Sequence, residues 1–500
     1  MICKSLKNSS LKLLLGCSIF TVSCDLEIEW AKTSQQSYVS GMVVNNDTGS
    51  PISCVIISDG YTSAITDSNG FFNMNLHHEA RHVFYSVPEE YEIFISDGVP
   101  NFYVSIDPDA VDSVQVDFKL TPLKNGIEDN FVLFCVADIH VRNQATIDLF
   151  RTETIEDIKK KGKRYENVYG INLGDLVDDM PELFNELKDV FGESEIPFFH
   201  TIGNHDYYPG ENNTIDAARY FEKNFGPINY SFNRGNAHII VMNNVQYLGN
   251  IEYSRGFNKE TLRWLQSNLN YVPDDKLIII CVHIPIFHYE SFPGRDKLME
   301  LLDKFNDVYI ISGHLHRNVK YRQASYTINE HIISNASGLW WGTVNNKVGT
   351  PRGYGVFEIS GNKIKNYYYK AVQFDRDYQM KMYAPYSFGN NERFLIVNAW
   401  DADNQWKVEM FENGILHDKM ERYSGYDPGA YEYMLWRGFP YSDSSRMYIR
   451  TNNLYRLKPK SSSSIITIKA TDPFGNTYYQ DQFISDIQEF RRYSSDSETP

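Results

Sequence analysis

At 500 residues the chain exceeds one typical domain, and 42% hydrophobic with 22% charged residues is the composition of several folded units, each with its own core; no small-protein staple is needed. A formal net charge of −16 argues against a general nucleic-acid-binding surface, because phosphate backbones are held by clustered Lys and Arg. It leaves open a small phosphate-bearing substrate, since bound divalent cations reverse the sign of a local field.

Taken in chain order, Lys4 and Lys7 precede an apolar stretch from Leu11 to Val22, closed by Ser23 and Cys24. That is the order and length of a secretory signal rather than a spanning helix. Thr21-Val22-Ser23-Cys24 also resembles a bacterial lipoprotein processing site, at which Cys24 would carry lipid; Cys17 matches but leaves a very short apolar region. The expectation is a signal over residues 1–24 and an exported chain, lipid-anchored at a periplasmic or outer surface of a bacterial envelope, with membrane contact only through that anchor. A plain secretory signal is the alternative. Cys54, Cys135 and Cys281 fall one per apolar stretch without a Cys-x-x-Cys pair, so they read as small buried core residues.

Residues 38–122 carry short β-branched and aromatic runs (GMVVN, CVIISDG, FYVSIDP) with a turn signal at Asp67-Ser68-Asn69-Gly70, which predicts a small β-sandwich. The pattern looks like the transthyretin-like or regulatory-like modules of exported enzymes. From 130 to 369 the pattern changes. Buried-strand runs at 131–137, 168–172, 196–201, 238–244, 276–282 and 308–312 alternate with helix-like segments at 145–163, 181–191, 214–225, 259–269 and 295–305, which makes an α/β unit. Residues 370–489 return to β runs, predicting a second sandwich, and 490–500 read as a flexible tail. The fold class is thus α/β flanked by two small all-β domains.

Five polar islands sit on or just after those strands: Asp138 and His140; Asp175; Asn204, His205 and Asp206; His283; and His314 with His316. A D-x-H or H-x-H at a strand end aims both side chains the same way. Gly174, Gly203 and Gly313 stand where the backbone must turn sharply. The donors Asp138, His140, Asp175, Asn204, His283, His314 and His316 are all O or N, which suits divalent Mn, Fe, Zn or Mg. Only two are anionic, so two M2+ ions would keep positive charge for a phosphoryl oxygen.

In order, DIH (138–140), GDLVD (174–178), GNHD (203–206), His283 and GHLH (313–316) resemble the motifs of the calcineurin-like metallophosphoesterases, and the flanking pieces resemble β modules found on a bacterial subset. The resemblance implies a sandwich of two mixed sheets with two metals at its edge. Asp138, His140 and His316 would hold one, Asn204, His283 and His314 the other, with Asp175 bridging. It also places His205 beside the substrate, and Asp178 stands where purple acid phosphatases carry a Tyr ligand, which disfavours a tyrosinate-bound ferric ion.

The implied reaction is hydrolysis of a phosphate mono- or diester by in-line attack of a metal-bound hydroxide, with His205 protonating the leaving group and Asp206 grouped with it as the residue that orients it or caps the turn. Asp178 and Asp179 would support the site from behind. Tyr207, Tyr208, His288, Tyr289, Trp340 and Trp341 lie in loops that could wall the pocket, and Arg317 or Arg352 could meet a phosphate. The partner is a small or envelope-derived phosphate ester, no nucleic acid being expected. Alternatives are a pyrophosphate, nucleotide-sugar or lipid-linked phosphate hydrolase, and a non-catalytic surface protein binding glycan or envelope on the same scaffold.

Overall fold

The computed structural model of the chain describes residues 37–107, 113–323, 328–385, 393–439 and 446–483. The signal, the Cys24 lipidation and the 490–500 tail lie outside the described residues.

The central unit contains, in chain order, β1 (Asn130–Val136), β2 (Val168–Asn172), β3 (Phe198–His200), β4 (Tyr230–Arg234), β5 (Ala237–Val241), β6 (Val245–Gly249), β7 (Glu252–Arg255), β8 (Leu277–Cys281), β9 (Val308–Ser312), β10 (Val319–Gln323), β11 (Ile328–Ile332), β12 (Gly353–Ser360) and β13 (Lys363–Ala371). They form a five-stranded sheet in the order β3-β2-β1-β12-β13 and a six-stranded sheet in the order β4-β5-β8-β9-β11-β10. β6 and β7 make a separate hairpin.

Side-chain alternation explains the layering. Along β1, Leu133 and Cys135 face the core between the sheets, with Ile171, Ile239, Cys281, Ile311 and Phe357, whereas Val132, Phe134 and Val136 face the helices outside. Both faces are covered, which is why these strands read as continuous hydrophobic runs. β1, β2 and β3 are mutually parallel, as are β5, β8 and β9, so each set delivers its carboxyl ends to one edge.

Outside the sheets, a helix runs from Gln144 to Gly162, with a π-helical turn over Phe150–Ile155. Asn143 caps it by accepting from the Thr146 amide at 3.0 Å. The segment expected over 214–225 is broken at Ala218 into two short helices, and the one expected to reach 305 ends at Leu302.

Each flanking module is two four-stranded sheets. In the N-terminal one, Asp67 Oδ1 accepts from the amides of Asn69 and Phe71, closing the turn at Gly70 (φ 73°). Cys54 corrects an expectation: it is exposed, at φ 63° in a connection, whereas Cys135 and Cys281 are buried. This module is welded to the central unit by Trp264, fully buried with its Nε1 donating to Ser58 Oγ at 3.0 Å, and by Phe102, whose ring lies 4.9 Å from that of Tyr230. The C-terminal module docks behind the ligand loop after β9. Lys320 Nζ meets Asp401 Oδ2 at 2.7 Å in a buried pair, and Asn318 Nδ2 donates to the Trp400 carbonyl at 3.1 Å.

Candidate metal centre

The seven donor residues follow the carboxyl ends of β1, β2, β3, β8 and β9 along one edge. Asp138, His140, Asp175, His314 and His316 all have φ between 48° and 69°. That left-handed region costs an L-residue about 1–2 kcal/mol, so five such residues in one cluster mark a backbone bent to aim side chains rather than to relax. The close approach of two loops requires Gly203, where a Cβ would sit 2.2 Å from the Asp175 amide nitrogen.

Donor atoms converge in two sets. His140 Nε2 lies 3.0 Å from His316 Nε2, which is 3.4 Å from Asp138 Oδ1. His283 Nε2 lies 3.0 Å from Asn204 Oδ1 and 3.2 Å from His314 Nδ1. Asp175 Oδ2 stands between the sets, 3.6 Å from His140 Nε2 and 3.2 Å from His283 Nε2. Two donors bound to one ion at about 2.0–2.2 Å are separated by roughly 3.0–3.6 Å, so these spacings are those of ligands around a shared cation. The residues therefore fit a pair of divalent ions with Asp175 common to both.

Second contacts hold the donors in place. His283 Nδ1 faces the Leu173 carbonyl at 2.9 Å, which puts the proton there and leaves Nε2 with a lone pair. Both oxygens of Asp138 accept from the His314 amide, at 3.0 and 2.9 Å. Burial holds His140 well below the ordinary imidazole range and His314 down at about 3, so both are neutral donors. Burial alone would raise the Asp175 carboxyl, but the imidazoles of His283, His205 and His140 keep it well below the usual carboxylate range.

His205 stands beside the cluster, its ring 5.0 Å from that of His140 and its Nδ1 3.1 Å from Asp179 Oδ2. Burial would lower it; Asp175, Asp179 and Asp178 together push it up to about 10. Asp178 Oδ1 lies 3.8 Å from both His205 Nδ1 and His140 Nδ1.

Of the two roles expected of Asp206, orienting His205 or capping the turn, its hydrogen bonds fit the second. It is fully buried and accepts from the amides of Leu176, Val177 and Gly203, so it ties the Asp175 loop to the Asn204 loop and does not touch His205. Tyr207 is also removed from the pocket, buried against Tyr247 with its hydroxyl on Asn243 and Val245; Tyr208 is exposed and stacks on Tyr220. Trp341 is a buried strut whose Nε1 donates to the Ile139 carbonyl at 2.8 Å, and Arg352 is taken up by Glu153 and by the ring of Trp341. The remaining expected residues do gather round the centre. Trp340 lies 5.4 Å from the His316 ring, His288 Nδ1 is 2.7 Å from Tyr321 Oη, Tyr289 lies under the Arg255 guanidinium, and Arg317 follows His316 directly.

Sequence reasoning passes over Tyr253 and Arg255, which belong to the β6–β7 hairpin. Tyr253 stands edge-on to His314, with ring centroids 6.0 Å apart. The signal was present: two apolar-polar runs about a Gly-Asn turn, with Tyr253 and Arg255 two apart and so on one face.

Comparison with known proteins agrees with this architecture. Residues 37–123 match the family described as N terminal of Calcineurin-like phosphoesterase, 131–318 match Calcineurin-like phosphoesterase, and 330–478 match C terminal of Calcineurin-like phosphoesterase. A probable glycerophosphodiester phosphodiesterase of Arcobacter nitrofigilis is 27% identical over 161 residues, 29% of this chain; the chain spans about half of it, 55%. A 3′,5′-cyclic-nucleotide phosphodiesterase of Nostoc is 24% identical over 215 residues, 40% of this chain and 76% of that protein. Among solved structures, a dimetal phosphatase from Danio rerio is similar at a TM-score of 0.33 and 14% identity, covering 49% of this chain and 99% of that one. The purple acid phosphatase PPD1 of yellow lupin is similar at 0.32 and 11%, covering 73% and 69%. With three consecutive segments of the chain, together spanning most of its length, matched to one family, this protein belongs to the calcineurin-like phosphoesterases.

Proposed function

We propose that the chain hydrolyses phosphate esters, phosphodiesters foremost, at a centre of two divalent cations. One observation carries this reading: two sets of donor atoms at ligand spacing share Asp175 Oδ2. Both curated relatives named above are phosphodiesterases by name, which supports the diester. When bound, the cations supply Lewis acidity toward the phosphoryl oxygens and make a water acidic enough to attack.

The chain's own residues do the rest. Asp138, His140 and His316 would hold one cation and Asn204, His283 and His314 the other, with Asp175 available to both. His205 has its Nδ1 3.1 Å from Asp179 Oδ2 and so leaves Nε2 to meet the departing oxygen. Trp340 walls the His140 and His316 side. The Lys4-to-Cys24 pattern supports an exported, lipid-anchored location, which labelling of the expressed chain with a radioactive fatty acid tests through Cys24→Ser.

The deciding experiment is a panel of p-nitrophenyl mono- and diesters, pyrophosphate and lipid-linked phosphates, run on protein of measured metal content. Turnover of diesters at two metal equivalents is expected. Two equivalents bound with no turnover across the panel would instead favour the surface-binding alternative.

A further inference from the structure

A cleft of about 360 Å³ opens beside His314, on a different flank of the ligand cluster from His205. That volume is in the range of small-molecule sites. Its walls are Tyr253 and Tyr289, with the Arg255 guanidinium lying over the Tyr289 ring at 4.0 Å and its Nε fixed on the Ser291 carbonyl at 3.2 Å. Arg317 is not part of that lining but lies near enough to act electrostatically on Tyr289 and His288. Its Nη1 donates to the Arg450 carbonyl at 3.2 Å, and its Nε is buried without a hydrogen-bond partner. Among the described residues no carboxylate lies within 4.0 Å of either guanidinium, although the chain as a whole has a net charge of −16. Two arginines without a carboxylate partner beside the ligand cluster offer charge and donors to an anion. Both also lower the neighbouring His288 imidazole, after burial, below its ordinary value.

We infer that this cleft holds the retained substituent of a phosphodiester, a ring-bearing group that itself carries an anionic substituent. The inference rests on the phosphoesterase reading above and deepens it. The tyrosine faces take the ring, and Arg255 with Arg317 takes the second anion. The scissile phosphate would then lie at the ligand cluster between the cleft and His205, with its leaving oxygen toward His205. Water adds to phosphorus, the P–O bond to the leaving group breaks, that oxygen takes up a proton, and the product is the phosphomonoester of the group left in the cleft. Such a product is one step from a free phosphate and a ring-bearing alcohol, so the reaction class that consumes it is phosphomonoester hydrolysis.

Three probes with one leaving group isolate the cleft: p-nitrophenyl phosphate, thymidine 5′-(p-nitrophenyl phosphate), and the latter bearing a 3′-phosphate. For the protein with two metal equivalents, kcat/KM is expected to rise along that series, the 3′-phosphate lowering KM at least tenfold. Tyr253→Ala and Arg255→Gln are expected to reduce the diester-to-monoester ratio of kcat/KM at least tenfold while metal content stays at two. Thymidine 3′,5′-bisphosphate is expected to compete better than thymidine 5′-phosphate with p-nitrophenyl phosphate, a measurement that needs no variant. A flat series, an unchanged ratio, or equal inhibition by the two nucleotides would overturn the assignment while leaving the phosphoesterase reading intact. No turnover of any probe at full metal occupancy would overturn both.

Discussion

His238 and His283 are fully buried imidazoles associated with adjacent strands, β5 and the end of β8, yet they do opposite things. Both nitrogens of His238 face an amide, Asn233 Oδ1 and Asn268 Oδ1, each at 2.9 Å, and burial lowers the ring to about 4. His283 spends Nδ1 on the Leu173 carbonyl and turns Nε2 toward Asn204, Asp175 and His314 together. Burial alone would lower it as well, but the Asp175 carboxylate, 3.2 Å from Nε2, works in the other direction. Burial therefore does not separate a structural histidine from a functional one. Convergence does: His238 meets a single amide at each nitrogen, and its neutral ring donates to one of the two, whereas at His283 three ligand atoms crowd one nitrogen and call for a cation.

The sharpest break of that contrast is at the shared ligand. Asp175→Ala is expected to lower metal content below two equivalents and to lower turnover by on the order of 10³-fold, several kcal/mol of transition-state stabilisation being lost; elemental analysis with steady-state kinetics checks both. His205→Ala is expected to keep two metals and to lose about 10²–10⁴-fold with poor leaving groups, less with p-nitrophenolate. Unchanged turnover on poor leaving groups would remove the acid role. Asp401→Ala, which strands the buried Lys320 ammonium behind the ligand loop, is expected to destabilise by about 3 kcal/mol in urea melts.

His238→Leu gives the smallest effect and the cleanest control. It is expected to keep metal and turnover while costing about 1–3 kcal/mol, because Asn233 and Asn268 lose a partner. Its pH dependence has a fixed sign. A folded-state value near 4 against an ordinary 6.5 means that the unfolded chain protonates first, so the stability due to neutral His238 is present above about 6.5 and drains as pH falls toward 4. The Leu variant is expected to flatten that slope. An equal slope in the two proteins would show that other groups set it.

The strands of the central unit were legible because burial on both faces leaves long apolar runs; the strands at 168–172 and 308–312 fall where the sequence places them. The donors were legible because each follows such a run, at a glycine for Asp175, Asn204 and His314 and directly after the run for Asp138 and His283. What the sequence hides is which aromatic and cationic side chains turn inward. Tyr207, next to a ligand loop in sequence, and Arg352, downstream of one, are consumed by Asn243 and Glu153, partners far along the chain. Tyr253 and Arg255 reach the site from a hairpin with no motif residue of its own. The helix Pro428–Trp436 was missed although Asp427-Pro428 is a strong helix start, with Asp427 capping the Ala430 amide at 2.8 Å.

The match to the family's C-terminal part begins at residue 330, inside β11, and so takes in β12 and β13. β12 is the neighbour of β1 in the first sheet, and β11 lies between β9 and β10 in the second. The part matched as the family's C-terminal segment is thus also a wall of the strand system that presents Asp138 and His314. Recombination that swapped everything after residue 330 would exchange not an accessory but the flank of the catalytic platform, and two such halves would have to be selected together.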